Sequence, residues 1–93
     1  MANILICDDD KDIVAALKIY LSSEGYTIFE AYNGREALDA VRSHEIHLIL
    51  MDVMMPELDG IAATAVLRQE SNVPIILLTA KSEGSDKVLG LNM

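Results

Sequence analysis

The sequence predicts an α/β fold in which a parallel sheet carries helices on both faces. Three short, continuous apolar runs, at residues 4–7, 48–51 and 75–78, are typical of strands that are buried on both sides. Segments with helical periodicity lie between these runs, and strands that alternate with helices form parallel sheets. The 93 residues suffice for one small domain, and we assign residues 1–93 to it.

The predicted elements follow one another in the order βαβαβαβα. They are strands at residues 4–7, 27–31, 48–51 and 75–78, and helices at residues 10–24, 34–44, 60–69 and 84–92. The strand at 27–31 is more polar than the others, which indicates an edge position. Gly25 supplies a stop signal for the first helix, and Asn33 is a candidate N-cap of the second.

The third and fourth helices rest on shorter patterns. Ile61 and Val66 belong to the apolar face of the third helix, and Gly60 is interpreted as permitting a tight turn before it. Val88 and Leu91 are three positions apart, a spacing that favours the start of a fourth helix.

Composition narrows the class of function. The formal net charge is −8 and the pI is about 4.4, which argues against direct contact with nucleic acid and suits a divalent cation or a basic partner. Cys7 is the only cysteine, so no internal disulfide forms, and we interpret it as a small core residue in a reducing compartment. No apolar run approaches the roughly 18 residues of a membrane span. We therefore expect a cytoplasmic protein that does not contact a membrane.

Polar side chains follow the buried strands at the point where each strand ends. Asp8 and Asp9 come after the first strand, Asp52 after the third and Thr79 after the fourth. Ligands of open parallel sheets bind at the carboxyl ends of the strands, so we expect these side chains at one site. Neighbouring carboxylates do not all stay ionised without a compensating cation, and oxygen ligands suit Mg²⁺.

Helix capping is an alternative interpretation of the first acidic pair. Asp8 and Asp9 are of a residue type that caps helices, and a helix follows them closely. Asp52 does not fit that interpretation, because Pro56 disfavours a helical conformation at Met55.

Other ligand sites fail on spacing. An EF-hand loop that starts at Asp8 needs glycine and glutamate where Ile13 and Ile19 stand, and the chain has no GxxxxGKS or GxxxxGKT motif for nucleotide phosphates. Asp10 and Asp12 fall at the start of the first helix, where negative charge suits the helix dipole. His44 and His47 have no third metal ligand in sequence and are interpreted as a solvated helix end.

Three motifs together resemble the receiver domain of bacterial two-component response regulators. They are ILICDDD, LILMDVMMPELDG and PIILLTA, in the order and at the spacing of that family. The resemblance implies a flavodoxin-like, doubly wound parallel sheet with strand order 2-1-3-4. The final stretch, TAKSEGSDKVLGLNM, resembles receivers that precede winged-helix DNA-binding domains of the vancomycin-resistance type, which implies a transcriptional output.

The resemblance also implies a role for each residue of the site. Asp52 matches the aspartate that accepts a phosphoryl group from a histidine kinase. Asp9 matches the direct Mg²⁺ ligand, Asp8 the acid that holds the ion through water, and Met54 the residue whose backbone carbonyl completes the protein ligands. Thr79 matches the switch residue that turns toward the phosphoryl group. Such a domain is not an ordinary enzyme, since it catalyses at most its own phosphoryl transfer and dephosphorylation.

The chain departs from the family pattern at its C-terminal end. The family continues into a fifth strand that ends in a lysine and then into a fifth helix, and neither follows here. We therefore expect the fourth strand to present an unpaired apolar edge. This predicts either a marginally stable monomer or a homodimer that forms through that strand or by exchange of the last helix. The missing lysine leaves open a second function, a phosphorylation-independent interaction module or an inactive fragment on the same fold.

Overall fold

The computed structural model describes residues 2–55, 58–80 and 87–92, with side-chain surroundings described up to Leu78. Its elements are β1 (Asn3–Cys7), α1 (Lys11–Ser23), β2 (Thr27–Ala31), α2 (Gly34–Ser43), β3 (Leu48–Asp52), α3 (Gly60–Glu70), β4 (Ile75–Ala80) and β5 (Lys87–Asn92). The elements predicted from β1 to β4 are all present, with ends that differ by one or two residues at most.

The strands form one sheet in the order β2-β1-β3-β4-β5. Strand β1 pairs in parallel with β2 and with β3, and β3 pairs in parallel with β4. This arrangement confirms the predicted order 2-1-3-4. In this register Cys7 lies between Ala31 and Met51, and Asp52 is paired with Leu78. The residues that follow β1 and β3 are therefore neighbours at the carboxyl edge of the sheet.

The predicted fourth helix is wrong where the structure describes it. Residues 87–92 form β5, which pairs antiparallel with β4, and residues 84–86 lie outside the described residues. Two apolar residues three positions apart are a weak helical signal, whereas the N–H and C=O groups along an open edge of β4 require partners. The expected bare edge of β4 is therefore also wrong, whereas the expected homodimer stays a prediction that this pairing does not test.

Side-chain caps fix the starts of the helices. Asp10 caps α1, Asn33 caps α2 as predicted, and Asp59 caps α3; each carboxylate or amide oxygen accepts a backbone N–H of the first turn. At the other end of α1 the chain turns through Gly25, whose φ of 96° is one that residues with a Cβ rarely adopt.

The sheet is covered on both faces, as predicted. On one face α2 and α3 pack against alternate strand residues, and the buried side chains there include Leu5, Ile49, Met51, Ile75, Leu77, Ala37, Ala63 and Leu67. On the other face α1 contributes Val14, which packs with Ile4 and Ile6 of β1. Each fully buried aliphatic side chain stabilises the fold by roughly 1.5–3 kcal/mol relative to exposure. Among the described helices, none combines the length and apolar character needed to cross a bilayer.

A candidate metal centre at the carboxyl edge of the sheet

Three carboxylates converge where β1 and β3 end. Asp8, Asp9 and Asp52 each offer an oxygen, and these oxygens all lie within 4.8 Å of one another. Asp8 and Asp52 are buried, with 0% and 1% of their surface exposed, whereas Asp9 is open to solvent. Parallel pairing causes this convergence, because Cys7 and Met51 are partners and each acid follows directly after. The structure thus brings together the three acids that the sequence places at strand ends.

Backbone N–H groups orient the two buried acids. Asp8 Oδ1 accepts a hydrogen bond from the Asp10 N–H at 2.9 Å, and Asp52 Oδ1 accepts one from the Met54 N–H at 3.3 Å. The Asp8 N–H donates to the Ala31 carbonyl of β2 at 3.1 Å, which extends the β1–β2 pairing by one residue. Each carboxylate is therefore held by the chain immediately after it.

Asp10 and Asp12, which follow the clustered acids in the chain, lie at the start of α1 instead. Asp10 Oδ1 accepts from the N–H groups of Asp12 and Ile13, at 3.0 and 3.3 Å, and so caps α1. Asp12 lies in the exposed first turn of that helix. The capping interpretation therefore applies to Asp10 rather than to Asp8 or Asp9.

Gly60 brings the start of α3 against the end of β3. Its N–H donates to the Val53 carbonyl at 3.0 Å, and a Cβ placed on it would lie 2.0 Å from the Asp52 carbonyl oxygen. Glycine is thus required by a close approach of two backbones rather than by the predicted tight turn. Asp59, which caps α3, was not predicted, although an aspartate directly before an apolar helical pattern is an N-cap signal.

The thiol of Cys7 lies beside the acidic cluster, and its pKa is affected by that negative charge. Its thiol is fully buried, lies 3.4 Å from Met55 Sδ and donates to the Asn33 carbonyl at 3.3 Å. Burial, and then the negative charges of Asp8 and Asp52, raise the pKa of the thiol to about 12. Cys7 is therefore a neutral core residue, as predicted, beside a cluster of negative charge.

An open groove of about 490 Å³ begins at the residues that follow Asp52 and is lined by Val53, Met54, Met55, Asp59 and Ile61. Met54 is 73% exposed at its rim. Thr79 follows Leu78, the residue of β4 that pairs with Asp52, so its backbone lies at the same edge of the sheet. The side chain of Thr79 is outside the described residues.

The three carboxylates fit a hard cation by their chemistry. All three side chains offer oxygen ligands; Asp8 and Asp52 are buried, and Asp9 faces solvent. Like charges buried together favour binding of a divalent cation, and an all-oxygen site suits Mg²⁺.

Comparisons of the chain with protein families and curated proteins agree with one another. A family model described as the response regulator receiver domain matches residues 4–93. Curated relatives include the response regulator GtcR of Aneurinibacillus migulanus, 44% identical over 90 residues, and the response regulator ArlR of Staphylococcus aureus, 38% identical over 92 residues. The probable transcriptional regulator ycf27 of Cyanidium caldarium is 45% identical over 91 residues.

The alignments cover 97%, 99% and 98% of this chain but only 37%, 42% and 36% of GtcR, ArlR and ycf27. The chain therefore spans well under half of the length of these curated relatives.

Solved structures show the same fold. The response regulator protein TrrA of Thermotoga maritima, crystallised in complex with Mg²⁺-BeF, is 40% identical with a TM-score of 0.83, covering 88% of this chain and 72% of that chain. The chemotaxis protein CheY4 of Vibrio cholerae is 31% identical, also with a TM-score of 0.83, covering 90% of this chain and 72% of that one.

Proposed function

Because the chain belongs to the response regulator receiver domain family, we propose that it is a phosphoacceptor, with Asp52 taking a phosphoryl group from a histidine kinase. In this proposal Asp9, Asp52 and the backbone carbonyl of Met54 would hold Mg²⁺, and Asp8 would hold it through water. The observation that carries this proposal is the convergence of Asp8, Asp9 and Asp52 within 4.8 Å.

Asp52 is suited to the role of nucleophile. Its position at the end of β3 and the Met54 N–H bond to Oδ1 fix the direction of the carboxylate. An Asp52 oxygen attacks phosphorus, the bond from phosphorus to the donor imidazole nitrogen breaks, and that nitrogen keeps the electron pair. When bound, Mg²⁺ lowers the repulsion between the carboxylate and the anionic phosphoryl group.

Thr79 is proposed as the switch residue. The acyl phosphate adds negative charge and acceptor oxygens beside the end of β4, and a hydroxyl that donates to them ties that strand end to the phosphorylated state. Thr79 is one position beyond the partner of Asp52 in the β3–β4 ladder, which supports the assignment.

The same proposal includes a histidine kinase as partner, a transcriptional output and a location in the cytoplasm. A histidine kinase supplies the phosphoryl group, and the receiver of a signal transduction histidine kinase from Syntrophus aciditrophicus is among the similar structures. The likeness to a probable transcriptional regulator supports a transcriptional output through a separate part of the parent protein. A net charge of −8 speaks against DNA contact by this segment itself, and a buried free thiol is compatible with the reducing cytoplasm.

The test is phosphorylation by a small donor. Wild-type protein incubated with acetyl phosphate and Mg²⁺ gains the mass of one phosphoryl group at Asp52, and Asp52→Asn or excess EDTA abolishes the gain. The matched control is Asp12→Asn, which removes a nearby charge that faces solvent in α1 and retains the modification. If wild type is neither modified nor shifted spectroscopically by beryllofluoride with Mg²⁺, the chain is the phosphorylation-independent interaction module instead.

A further inference from the structure

The first residue of α2 contacts the segment that joins β3 to α3. The Gly34 N–H donates to the Leu58 carbonyl at 3.1 Å, so Leu58 satisfies one of the free N–H groups at the start of this helix. A Cβ placed on Gly34 would lie 2.2 Å from the Leu58 carbonyl oxygen and 2.8 Å from Leu58 Cβ. Both distances are shorter than any a real Cβ tolerates, so a side chain at residue 34 displaces the backbone at Leu58.

Leu58 is linked to Asp52 through a short series of backbone contacts. It is followed by Asp59, which caps α3, and by Gly60, whose N–H donates to Val53. Gly60 also leaves no space beside the Asp52 carbonyl, since a Cβ there would be 2.0 Å from that oxygen. A displacement of Leu58 is therefore expected to shift Asp52, the residue that carries the central carboxylate.

The same end of α2 also contacts β1. The Asn33 carbonyl, one residue before Gly34, accepts the hydrogen bond of the Cys7 thiol at 3.3 Å. Cys7 precedes Asp8, and its sulfur contacts Met55 in the segment after β3. The start of α2 thus spans the two strand ends that supply the acids.

We propose that Gly34 is a positioning residue of the metal site, which sets the distance between Asp8 and Asp52 by holding the segment around Leu58. This inference rests on the proposed binding of Mg²⁺. The contact and the ion stabilise the same arrangement, so each strengthens the other.

The first experiment compares Gly34→Ala with Val41→Ala. Val41 packs against the core from the other end of α2, so its truncation destabilises the same helix without touching Leu58. Titration with Mg²⁺, followed by the backbone NMR signals of Asp9 and Asp10 in the folded protein, gives the dissociation constant. We expect it to rise about 10–100-fold in Gly34→Ala, the range for loss of a residue that orients a metal ligand, and to stay at the wild-type value in Val41→Ala.

The second experiment uses wild-type protein and needs no variant to fold. Hydrogen exchange of the Gly34 amide is measured with and without Mg²⁺, and we expect the ion to slow it. The control is the His44 amide, which donates to Ala40 at the opposite end of α2 and whose exchange through local fraying is expected not to change.

The outcomes separate this inference from the proposed function. If wild type does not bind Mg²⁺, both are overturned. If wild type binds Mg²⁺ and Gly34→Ala binds it equally well, the positioning role alone is overturned. If Gly34→Ala does not fold, the exchange of the Gly34 amide decides, and a rate that Mg²⁺ leaves unchanged overturns the positioning role.

Discussion

At the amino end of the sheet Asn3 and His47 satisfy each other's polar groups. The backbone N–H of Asn3 donates to His47 Nδ1 at 2.9 Å, and the backbone N–H of His47 donates to the Asn3 carbonyl at 2.8 Å. The side-chain amide of Asn3 donates to the Glu45 carbonyl at 2.6 Å. At the carboxyl end Asp8 and Asp52 are buried beside each other and beside Asp9. One end of the sheet pairs donors with acceptors, and the other concentrates negative charge.

This difference separates the structural polar groups at the amino end from the acids that we propose to be functional. Hydrogen bonds at the amino end each contribute roughly 0.5–1.5 kcal/mol to folding. Carboxylates that face one another in a buried site oppose folding until a cation compensates them. We therefore expect the carboxyl end to lower the stability of the protein without metal, a cost that a binding site explains and a purely structural role does not.

The largest effect is expected from the acid that faces solvent within the cluster. Asp9→Ala should abolish measurable Mg²⁺ binding, a larger loss than the about 10–100-fold that removal of an orienting residue causes. Asp12→Ala should leave Mg²⁺ affinity unchanged and cost only about 0.3–1 kcal/mol of stability, because Asp12 acts on the α1 dipole. Calorimetric titration measures the Mg²⁺ affinity of each variant, and urea unfolding measures the stability of Asp12→Ala. Equal losses of Mg²⁺ affinity in the two variants would show that the acids of this stretch form one functional group.

An intermediate effect is expected from neutralising a buried acid. Asp8→Asn keeps an oxygen that accepts from the Asp10 N–H but removes one of the crowded charges. Without metal the free energy of unfolding should rise, because a buried like charge is removed, and the stabilisation by added Mg²⁺ should shrink. Urea unfolding with EDTA and with Mg²⁺ tests both changes. A variant less stable than wild type in EDTA would mean that Asp8 stabilises the fold.

The smallest effect is expected at the amino end. His47→Ala removes the acceptor of the Asn3 N–H and should cost about 0.5–1.5 kcal/mol, with Mg²⁺ affinity unchanged. Glu45→Gln is the matched control. It weakens only the exposed contact between Glu45 Oε2 and His47 Nε2, which are 3.6 Å apart, and should change stability by much less. A fall in Mg²⁺ affinity in His47→Ala would break the distinction between the two ends.

The part of the site that the sequence predicts is the part that strand direction determines. Asp8, Asp9 and Asp52 follow buried apolar runs, so a parallel sheet alone brings them together. The close contacts of Gly34 with Leu58 and of Gly60 with Asp52 depend on distances between separate elements, which no local pattern encodes.

The same reason explains what the sequence does not predict away from the site. His44 and His47 are exposed and His44 is the C-cap of α2, which agrees with the interpretation as a solvated helix end, but the contact of His47 with Asn3 exists only in the register of β1 and β3. The helix predicted from Val88 and Leu91 is wrong at residues 87–92, where pairing with the edge of β4 determines the conformation. There a tertiary partner overrides the local signal.

Pairing of β1 with β3 also has a kinetic consequence. Asp8 and Asp52 are far apart in the chain, and they meet only when these two strands pair at the centre of the sheet. A folding transition state that already contains this pairing experiences the repulsion between the acids, so Mg²⁺ speeds folding. If the pairing forms after the barrier, Mg²⁺ slows unfolding and leaves the folding rate unchanged. Because of the acidic cluster, folding and unfolding rates measured at two Mg²⁺ concentrations show whether β1 and β3 pair before or after the folding barrier.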